Sequence, residues 1–595
     1  MKQKLKNAYS SLFTYLREKV NRMQYIMIVA ILVGLCSGLI AVLLKTCVHY
    51  IEKWISEIPF SRFSYLLFPG LGLLVTVIII HRFYGGHIEK GIAMVLRSIA
   101  RRSSLIPFSH TYMHVVTSSV TVGLGGSVGL EAPIVATGSA VGSNLARIHQ
   151  LNYQERTLLI ACGAAAGISA VFNAPIAGVI FAIEVLLAET IISYFIPLIT
   201  SAVIGALCSK IILNENILFN FVLKQNFNYY NVPFYIMLGA LCGFISLYYA
   251  NVFKKVEHKM HDWHLNPYAK ALIGGLFLLV IYILFPTLFG EGYDSVKLVS
   301  NGNSNIIRDN TGLFSLMDRE WAVIIFVGAV MLLKPIAAGI TIGSGGNGGN
   351  FAPSLFVGAY LGFFFSKILN VTKWFDTPVG NFSLVGMAGV LSGVMYCPLT
   401  AIFLIAEITS GYELIIPLMI VSSMSFLIVK HYQPYSMETR KLAMEGQIFT
   451  HKREQNILTS IQLGDIVKSN YQSISIDSSL RDLVEMIKLS DKNIFAVADK
   501  KANFIGIVEL NDVKKQMFNP ELFDKVSIRQ IMKKAPDVIY SGESMTRVME
   551  KFDHSQSWYL PVLTEDRKFI GFISKTKIFE QYRQIISEQS DLYES

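Results

Sequence analysis

One twenty-residue block, rich in glycine and small side chains, occurs twice in the chain. Residues 123–142 read GLGGSVGLEAPIVATGSAVG and residues 343–362 read GSGGNGGNFAPSLFVGAYLG. The two superpose without a gap at an offset of 220, pairing Gly123/Gly343, Gly125/Gly345, Gly126/Gly346, Gly129/Gly349, Ala132/Ala352, Pro133/Pro353, Gly138/Gly358 and Gly142/Gly362. A second set follows in the same order at an offset of 223, with Gly163, Ser169, Pro175 and Glu184 falling on Gly386, Ser392, Pro398 and Glu407. The first part of the chain is therefore duplicated. Gly123, Gly125, Gly126 and Gly129 do not continue a helix comfortably, whereas Pro133 suits a first turn, so the block predicts a loop opening into a helix near Glu131. The first N–H groups of such a helix lack partners and its dipole is positive there, which suits an anion. Glu131 stands in that place.

The surroundings of the block are apolar. The 595 residues have a mean hydropathy of +0.46, and their charged residues, 16% of the total, are scarce before about residue 435 and common after it. That asymmetry divides the chain. Runs long enough, or nearly so, to cross a hydrocarbon core of roughly 30 Å recur at Ile26–Leu44, Leu66–Ile80, Ile192–Ile212, Phe234–Val252, Ala271–Phe285 and Ala322–Ile342. They predict a polytopic membrane protein in which other helices are too short or too glycine-rich to span, as tilted and broken helices are. Glycine-interrupted segments at matching positions of two halves point to a transport site at the interface of the repeats, near the bilayer midplane. The first 22 residues, MKQKLKNAYSSLFTYLREKVNR, are basic and amphipathic without a small-residue cleavage site, so they are expected to be retained. Lys and Arg beside the first span put the N-terminus on the cytoplasmic side, and the C-terminal region, of ordinary soluble composition, is easiest to place on the same side, the expected location being the inner (plasma) membrane. The formal net charge of +10 is assigned to these flanks and to anionic lipid, and a nucleic-acid role does not suit a chain this apolar. The six cysteines (36, 47, 162, 208, 242 and 397) lie in apolar segments without metal-type spacing or a disulfide framework.

Three motifs carry a resemblance: GLEAP at 129–133, GNFAP at 349–353 and GAAAGISAVFNAPIAGVIFAIE at 163–184. They resemble the signature blocks of the CLC family of chloride channels and proton-coupled chloride exchangers. The resemblance implies an all-α membrane domain of two inverted repeats, about eighteen helices, many broken or tilted, in a homodimer with one chloride pathway per subunit. It makes Glu131 the gating glutamate, whose carboxylate competes with the permeating anion, and assigns anion binding to the backbone around Gly349, Asn350 and Phe351 and around Gly129 and Leu130. Leu130 stands where the family commonly has Arg or Lys, and Ala132 where it has Gly. The family's GSGIP block is represented by GGHIEKG, 85–91, which lacks the coordinating serine and puts His87 or Gly86 near its place. A tyrosine binds the central anion in the family. Anchoring on SMETRKLA puts Glu438 at that position, and a shift of three residues would use Tyr435. Many exchangers carry an acid after the glutamate aligned with Glu184, where it passes protons from inside; here that residue is Val185, and valine cannot carry a proton.

The region after the charged linker is also a tandem repeat. Ile466/Ile531, Ser479/Ser544, Glu485/Glu550, Val497/Val562, Phe504/Phe569, Ile505/Ile570 and Gly506/Gly571 pair at an offset of 65, and each unit reads as a lead-in segment, an amphipathic helix, two short strands and a final helix. This resembles a tandem pair of α/β CBS modules, which often bind adenine nucleotides. GIVELND, 506–512, keeps the terminal aspartate that bonds ribose hydroxyls, so Gly506 and Asp512 are candidates for ATP, ADP or AMP. In GFISKTK, 571–577, Lys577 replaces that acid, so the second site is either lost or relies on Lys577 against phosphate, with Ser574 as a further candidate; the alternative is a purely structural pair. The expected division is a cytoplasmic segment 1–23, a membrane domain 24–433 with repeats at about 24–213 and 232–433, a linker 434–460, modules at 461–520 and 521–585, and a tail 586–595.

Three functions suit these features: a gated chloride channel, a proton-coupled chloride exchanger, and a membrane-anchored nucleotide sensor. An anchor alone would not need Glu131 and two glycine-rich loops in hydrocarbon, where charge and free backbone are costly. An enzyme is disfavoured because the membrane segments lack a metal ligand set or a nucleophile–base pair, and no cofactor is required. Val185 favours the channel, whereas Glu438 offers an exchanger another inner proton site.

Overall fold

The computed structural model describes residues 19–57, 67–86, 88–89, 91–101, 104–187, 195–213, 227–301, 319–373, 375–409, 411–440, 443, 463–467, 471–500 and 503–591. Residues 1–18, His87, most of the linker and the last four residues lie outside them, as do Leu66 and Ile192, the first residues of two predicted spans. The chain divides into two compact units, 1–448 and 449–595.

The first unit is helical: α1 (Arg22–Glu57), α2 (Phe68–Phe83), α3 (Gly91–Arg101), α4 (His110–Gly123), α5 (Glu131–Ile148), α6 (Tyr153–Phe172), α7 (Pro175–Phe181), α8 (Phe195–Leu213), α9 (Val232–His261), α10 (Pro267–Leu284), α11 (Tyr293–Ser300), α12 (Arg319–Gly343), α13 (Phe351–Val371), α14 (Val379–Met395), α15 (Pro398–Ile408) and α16 (Ile415–Tyr432). Among the described residues eight helices are long and apolar enough to cross a membrane, including α8, α10, α12, α13 and α16. Large apolar side chains such as Leu35, Leu39 and Leu43 on α1 and Leu272, Leu276 and Val280 on α10 are exposed; in lipid such a surface needs no further cover.

The duplicated blocks start α5 and α13 and hold them together. Gly129 and Gly349 form an antiparallel bridge in which each N–H donates to the other's carbonyl, at 2.9 and 2.8 Å. The same exchange recurs beside it, because the Ser127 N–H donates to Thr341 Oγ1 (3.3 Å) and the Asn347 N–H to Thr121 Oγ1 (3.1 Å). Contacts swapped in this way between matched residues define a two-fold relation, so the repeats are inverted relative to each other. Each half also repeats one tight crossing. A Cβ on Gly138 would enter the Gly163 carbonyl and one on Gly163 the Gly138 carbonyl, so α5 and α6 touch backbone to backbone; Gly358 and Gly386 do the same for α13 and α14. Both α6 and α14 then end on a left-handed residue, Asn173 (φ 54°) and Tyr396 (φ 61°). The N-terminus of α6 is closed by a capping box of Asn152 and Glu155, and Arg22 holds Glu155 through two 2.6 Å contacts.

The second unit contains α17 (Leu463–Ile466), β1 (Ser473–Ser475), α18 (Leu480–Lys488), β2 (Ile494–Ala498), β3 (Phe504–Glu509), α19 (Leu510–Val513), α20 (Ile528–Ile531), β4 (Ile539–Tyr540), α21 (Met545–Ser555), β5 (Tyr559–Leu563), β6 (Phe569–Ser574) and α22 (Lys575–Asp591). Two sheets, β1-β2-β3 and β4-β5-β6, share one topology, a parallel then an antiparallel pairing, and both slip register at the matched residues Val497/Ala498 and Val562/Leu563. The lead-in helices are exchanged. Leu463 and Ile466 pack with Ile539, Val548 and Phe552, whereas Ile528 packs with Leu480 and Phe495. A cut at 520/521 therefore separates α20 from the core it covers.

Candidate functional site

Glu131 is the first residue of α5 and is 1% exposed. Its carboxylate lies against its own backbone N–H and that of Ala352, the second residue of α13, so two helix starts from opposite repeats converge on one negative group. The Tyr293 hydroxyl donates to Oε1 at 2.5 Å, and Oε2 has no hydrogen-bond partner. The space is tight, since a Cβ on Gly129 would collide with that oxygen and would lie 2.7 Å from the Ala352 methyl. A carboxylate held by one hydroxyl and the N–H groups at two helix starts can be exchanged for another anion, because any compact negative ion satisfies the same donors.

The matched acids Glu184 and Glu407 do something different. Glu184 accepts from the N–H groups of Leu399 (3.2 Å) and Thr400 (2.9 Å) and from the Thr400 hydroxyl (2.8 Å), and Glu407 accepts from Ile176 (3.0 Å) and Ala177 (2.8 Å). Each repeat thus caps the short helix of the other, α15 and α7, with a carboxylate at the positive helix end. Val185 follows in a π-helical turn, Ala182–Leu186, half-buried against the apolar core.

Asn350 and Phe351 form the other side of the helix start. Asn350 is 6% exposed and accepts the Tyr249 hydroxyl on Oδ1 at 3.1 Å. Glu438 hydrogen-bonds the Asn350 side chain and interacts electrostatically with Lys254, whose ammonium also donates to Glu257 at 2.8 Å. Glu438 Oε2 comes within 3.6 Å of where a Cβ on Gly91 would be. Tyr435 is 37% exposed. Of the two registers, the ungapped one therefore brings its residue to Asn350. Gly86 lies in the left-handed region (φ +83°) against His81, and His87 is outside the described residues. The Phe351 ring packs on Phe172 and Phe181, with centroids 5.5 and 6.3 Å away, which surrounds the start of α13 with apolar side chains.

Four participants were not legible as such. Tyr293 and Glu291 come from the GEGY turn at 290–293, Lys334 from the middle of α12, and Ala352 contributes only backbone. Lys334, 0% exposed, was the most visible signal, a single cation in an apolar run that donates to the Gly290 carbonyl at 3.0 Å and sits 4.7 Å from the Phe356 ring centroid.

In the second unit a cavity of about 150 Å³ is lined by Ser574 and Lys577 together with Tyr471, Lys492, Tyr559 and Phe572, among others. Asp512 and Gly506 are elsewhere. Asp512 is paired with Lys533 at 2.5 Å, a contact that holds the Lys533 ammonium above its ordinary pKa, and the Lys533 carbonyl presses on Gly506. The structure thus separates the four CBS candidates into two pairs.

The profile described as voltage gated chloride channel matches residues 72–430, and that of the CBS domain matches residues 528–583. The Arabidopsis thaliana chloride channel protein CLC-e is 27% identical over 560 residues, covering 82% of this chain and 75% of that protein. The H(+)/Cl(-) exchange transporter ClcA of Vibrio cholerae is 27% identical over 419 residues, covering 67% of this chain and 84% of that protein. Among solved structures, a slow cyanobacterial Cl-/H+ antiporter superposes with a TM-score of 0.61 at 20% identity, over 72% of this chain and 99% of that one. A eukaryotic CLC transporter superposes at 0.58 and 17% identity, over 95% and 98%. These two share the fold. Matched over most of its helical unit, with a carboxylate held between helix starts from two inverted repeats, the chain belongs to the voltage gated chloride channel family.

Proposed function

We propose that the protein transports chloride across a membrane, with Glu131 as the gate, and that it does so in exchange for protons. The observation that carries this reading is that two carboxylates meet residues at the start of α13: Glu131 the amide of Ala352, along with its own, and Glu438 the Asn350 side chain. An anion cannot settle beside an ionised carboxylate in an apolar surrounding, so occupancy requires each acid to take a proton or swing away. Proton and anion then alternate at one place. Asn350, Phe351 and Leu130 supply backbone donors to the anion, whereas the N–H groups of Gly129 and Gly349, expected to do the same, are spent on each other's carbonyls and leave those two residues to shape the site; Tyr293 steadies the gate. The chain works as a homodimer in this reading, with both termini on the cytoplasmic side of the plasma membrane. Val185 supports a second reading, a gated channel without counter-transport, because it removes the family's usual inner relay.

The test imposes a chloride gradient on liposomes at a clamped potential and records internal pH. Exchange gives uphill proton movement in a fixed ratio to chloride, lost in Glu438→Gln. Chloride flux with no coupled proton would establish the channel reading instead.

The second unit is assigned a regulatory role, with an adenine nucleotide held at the cavity near Ser574 and Lys577. The lining supports this through three aromatic side chains for a base and two lysines for phosphate.

A further inference from the structure

The turn at 288–293 and the helix before it are tied to the first glycine-rich block at five points, four from the turn and one from Tyr282. Ser127 Oγ donates to the Leu288 carbonyl (2.8 Å), the Gly290 N–H to the Gly125 carbonyl (3.2 Å), and Tyr293 to Glu131. The Tyr282 hydroxyl, one helix back, donates to the same Gly125 carbonyl at 3.1 Å. The fifth contact has chemistry of its own: Glu291 Oε1 accepts the backbone N–H of Leu130 at 3.0 Å. That amide is the donor next in line before Glu131 and would otherwise be open to an arriving anion. Beside it lies a cavity of about 30 Å³, lined by Leu130, Glu291, Tyr293, Lys45 and their apolar neighbours. It has room for one small ligand. Lys334 fixes the turn from behind through the carbonyls of Gly290 (3.0 Å) and Glu291 (3.3 Å), and Gly292 (φ +89°) allows close approach to the Phe356 ring. The charged groups facing the Glu291 carboxylate are Glu131, Glu52 and Lys334.

We propose that Glu291 is a second, specificity-determining carboxylate of the pathway: it occupies the Leu130 N–H, and an anion entering from the outer side must displace it before reaching Glu131. The proposal rests on the transport reading above. Glu131 stands in for an anion at the inner pair of amides, and Glu291 stands in for one at the outer amide. The 30 Å³ cavity is where the displacing anion waits, with the Lys45 side chain in its wall. Apparent affinity for outer chloride is therefore set by competition with Glu291 as well as by the donors themselves.

The test measures chloride flux by the full-length protein in liposomes, with chloride varied on each side in turn. A neutral amide bonds an N–H less strongly than a carboxylate, so Glu291→Gln lowers the outer-side KM for chloride about fivefold. The inner-side KM and the maximal flux stay within about twofold. A residue that only braced the turn would change maximal flux or yield and leave the outer KM alone, and that result overturns the proposal. If Glu291→Gln does not assemble, Glu291→Asp, which keeps the charge but ends one methylene short of Leu130, gives the same reading: a lowered outer KM supports competition and an unchanged one overturns it. Wild-type protein that passes no anion would remove the transport reading itself. Wild-type flux with an unaltered KM in the variants removes this inference alone.

Discussion

A carboxylate that occupies an anion's place can be made neutral without changing its shape, and Glu131→Gln does that. The amide still fits against Gly129 and Tyr293 but cannot bind and release a proton, so transport in liposomes becomes insensitive to external pH between mildly acidic and neutral values. Retained pH dependence would remove the gating role. Lys334 makes the complementary point about a buried cation. Lys334→Met leaves the Gly290 and Glu291 carbonyls without their donor, at a cost of about 1–3 kcal/mol for each buried acceptor left unsatisfied, and the thermal midpoint of the detergent-solubilised protein falls. At this scale the sequence marked Glu131 through its setting, a lone acid among glycines before a helix. Tyr293, which meets Glu131 from 162 residues away, carried no such signal. A contact made by a distant turn has no local spacing to betray it, and Ala352 contributes a backbone N–H that any residue but proline would supply. Glu438 was one of two alternatives because alignment by spacing cannot sense burial.

Helices were more legible than their ends. The glycine blocks predicted loops opening into helices, and α5 starts at Glu131 and α13 at Phe351. The purpose of the later glycines emerges only from the crossings, where Gly138 meets Gly163 and Gly358 meets Gly386. Substituting Val at Gly163 places side-chain carbon inside the opposite backbone, an overpacking that costs typically 1–3 kcal/mol and here has no flexible side chain to absorb it. Monodisperse protein on size exclusion is expected to be lost, whereas Gly464→Val, in open space within the second unit, leaves the profile unchanged. The pairing of Glu184 with Glu407 was visible as a repeat but not as reciprocal capping. Two acids at matched positions look alike in sequence whether they face a pore or a helix end.

For the molecule as a whole, the charge density changes near residue 435, and the chain divides into compact units between 448 and 449, inside the stretch 434–460 expected to be a linker. The duplication of each unit was equally plain, because a constant offset survives where identities are few. What the offset could not carry was orientation and exchange: the inversion of the membrane repeats, and the swap of α17 and α20 between the two sheets. The sequence names nucleotide candidates in both modules, Gly506 and Asp512 in one and Ser574 and Lys577 in the other, and Asp512 Oδ1 is paired with Lys533 whereas Ser574 and Lys577 line the cavity. Calorimetry of the full chain with ATP should show affinity lowered about tenfold by Lys577→Ala and little changed by Asp512→Ala. The reverse ranking would return the site to the first module.

The reciprocal caps also set a clock. Glu407 lies 231 residues beyond the α7 amide it satisfies, which at a synthesis rate of 5–20 residues per second is a delay of about 10–50 s. Throughout that interval the new α7 carries bare N–H groups and Glu184 a bare charge, both in or beside lipid. The first repeat is therefore born incomplete and held in waiting. A ribosome that stalls between residues 214 and 397 releases a product whose polar ends have no ligand, and it is in that window, rather than in the finished protein, that quality control has its easiest target.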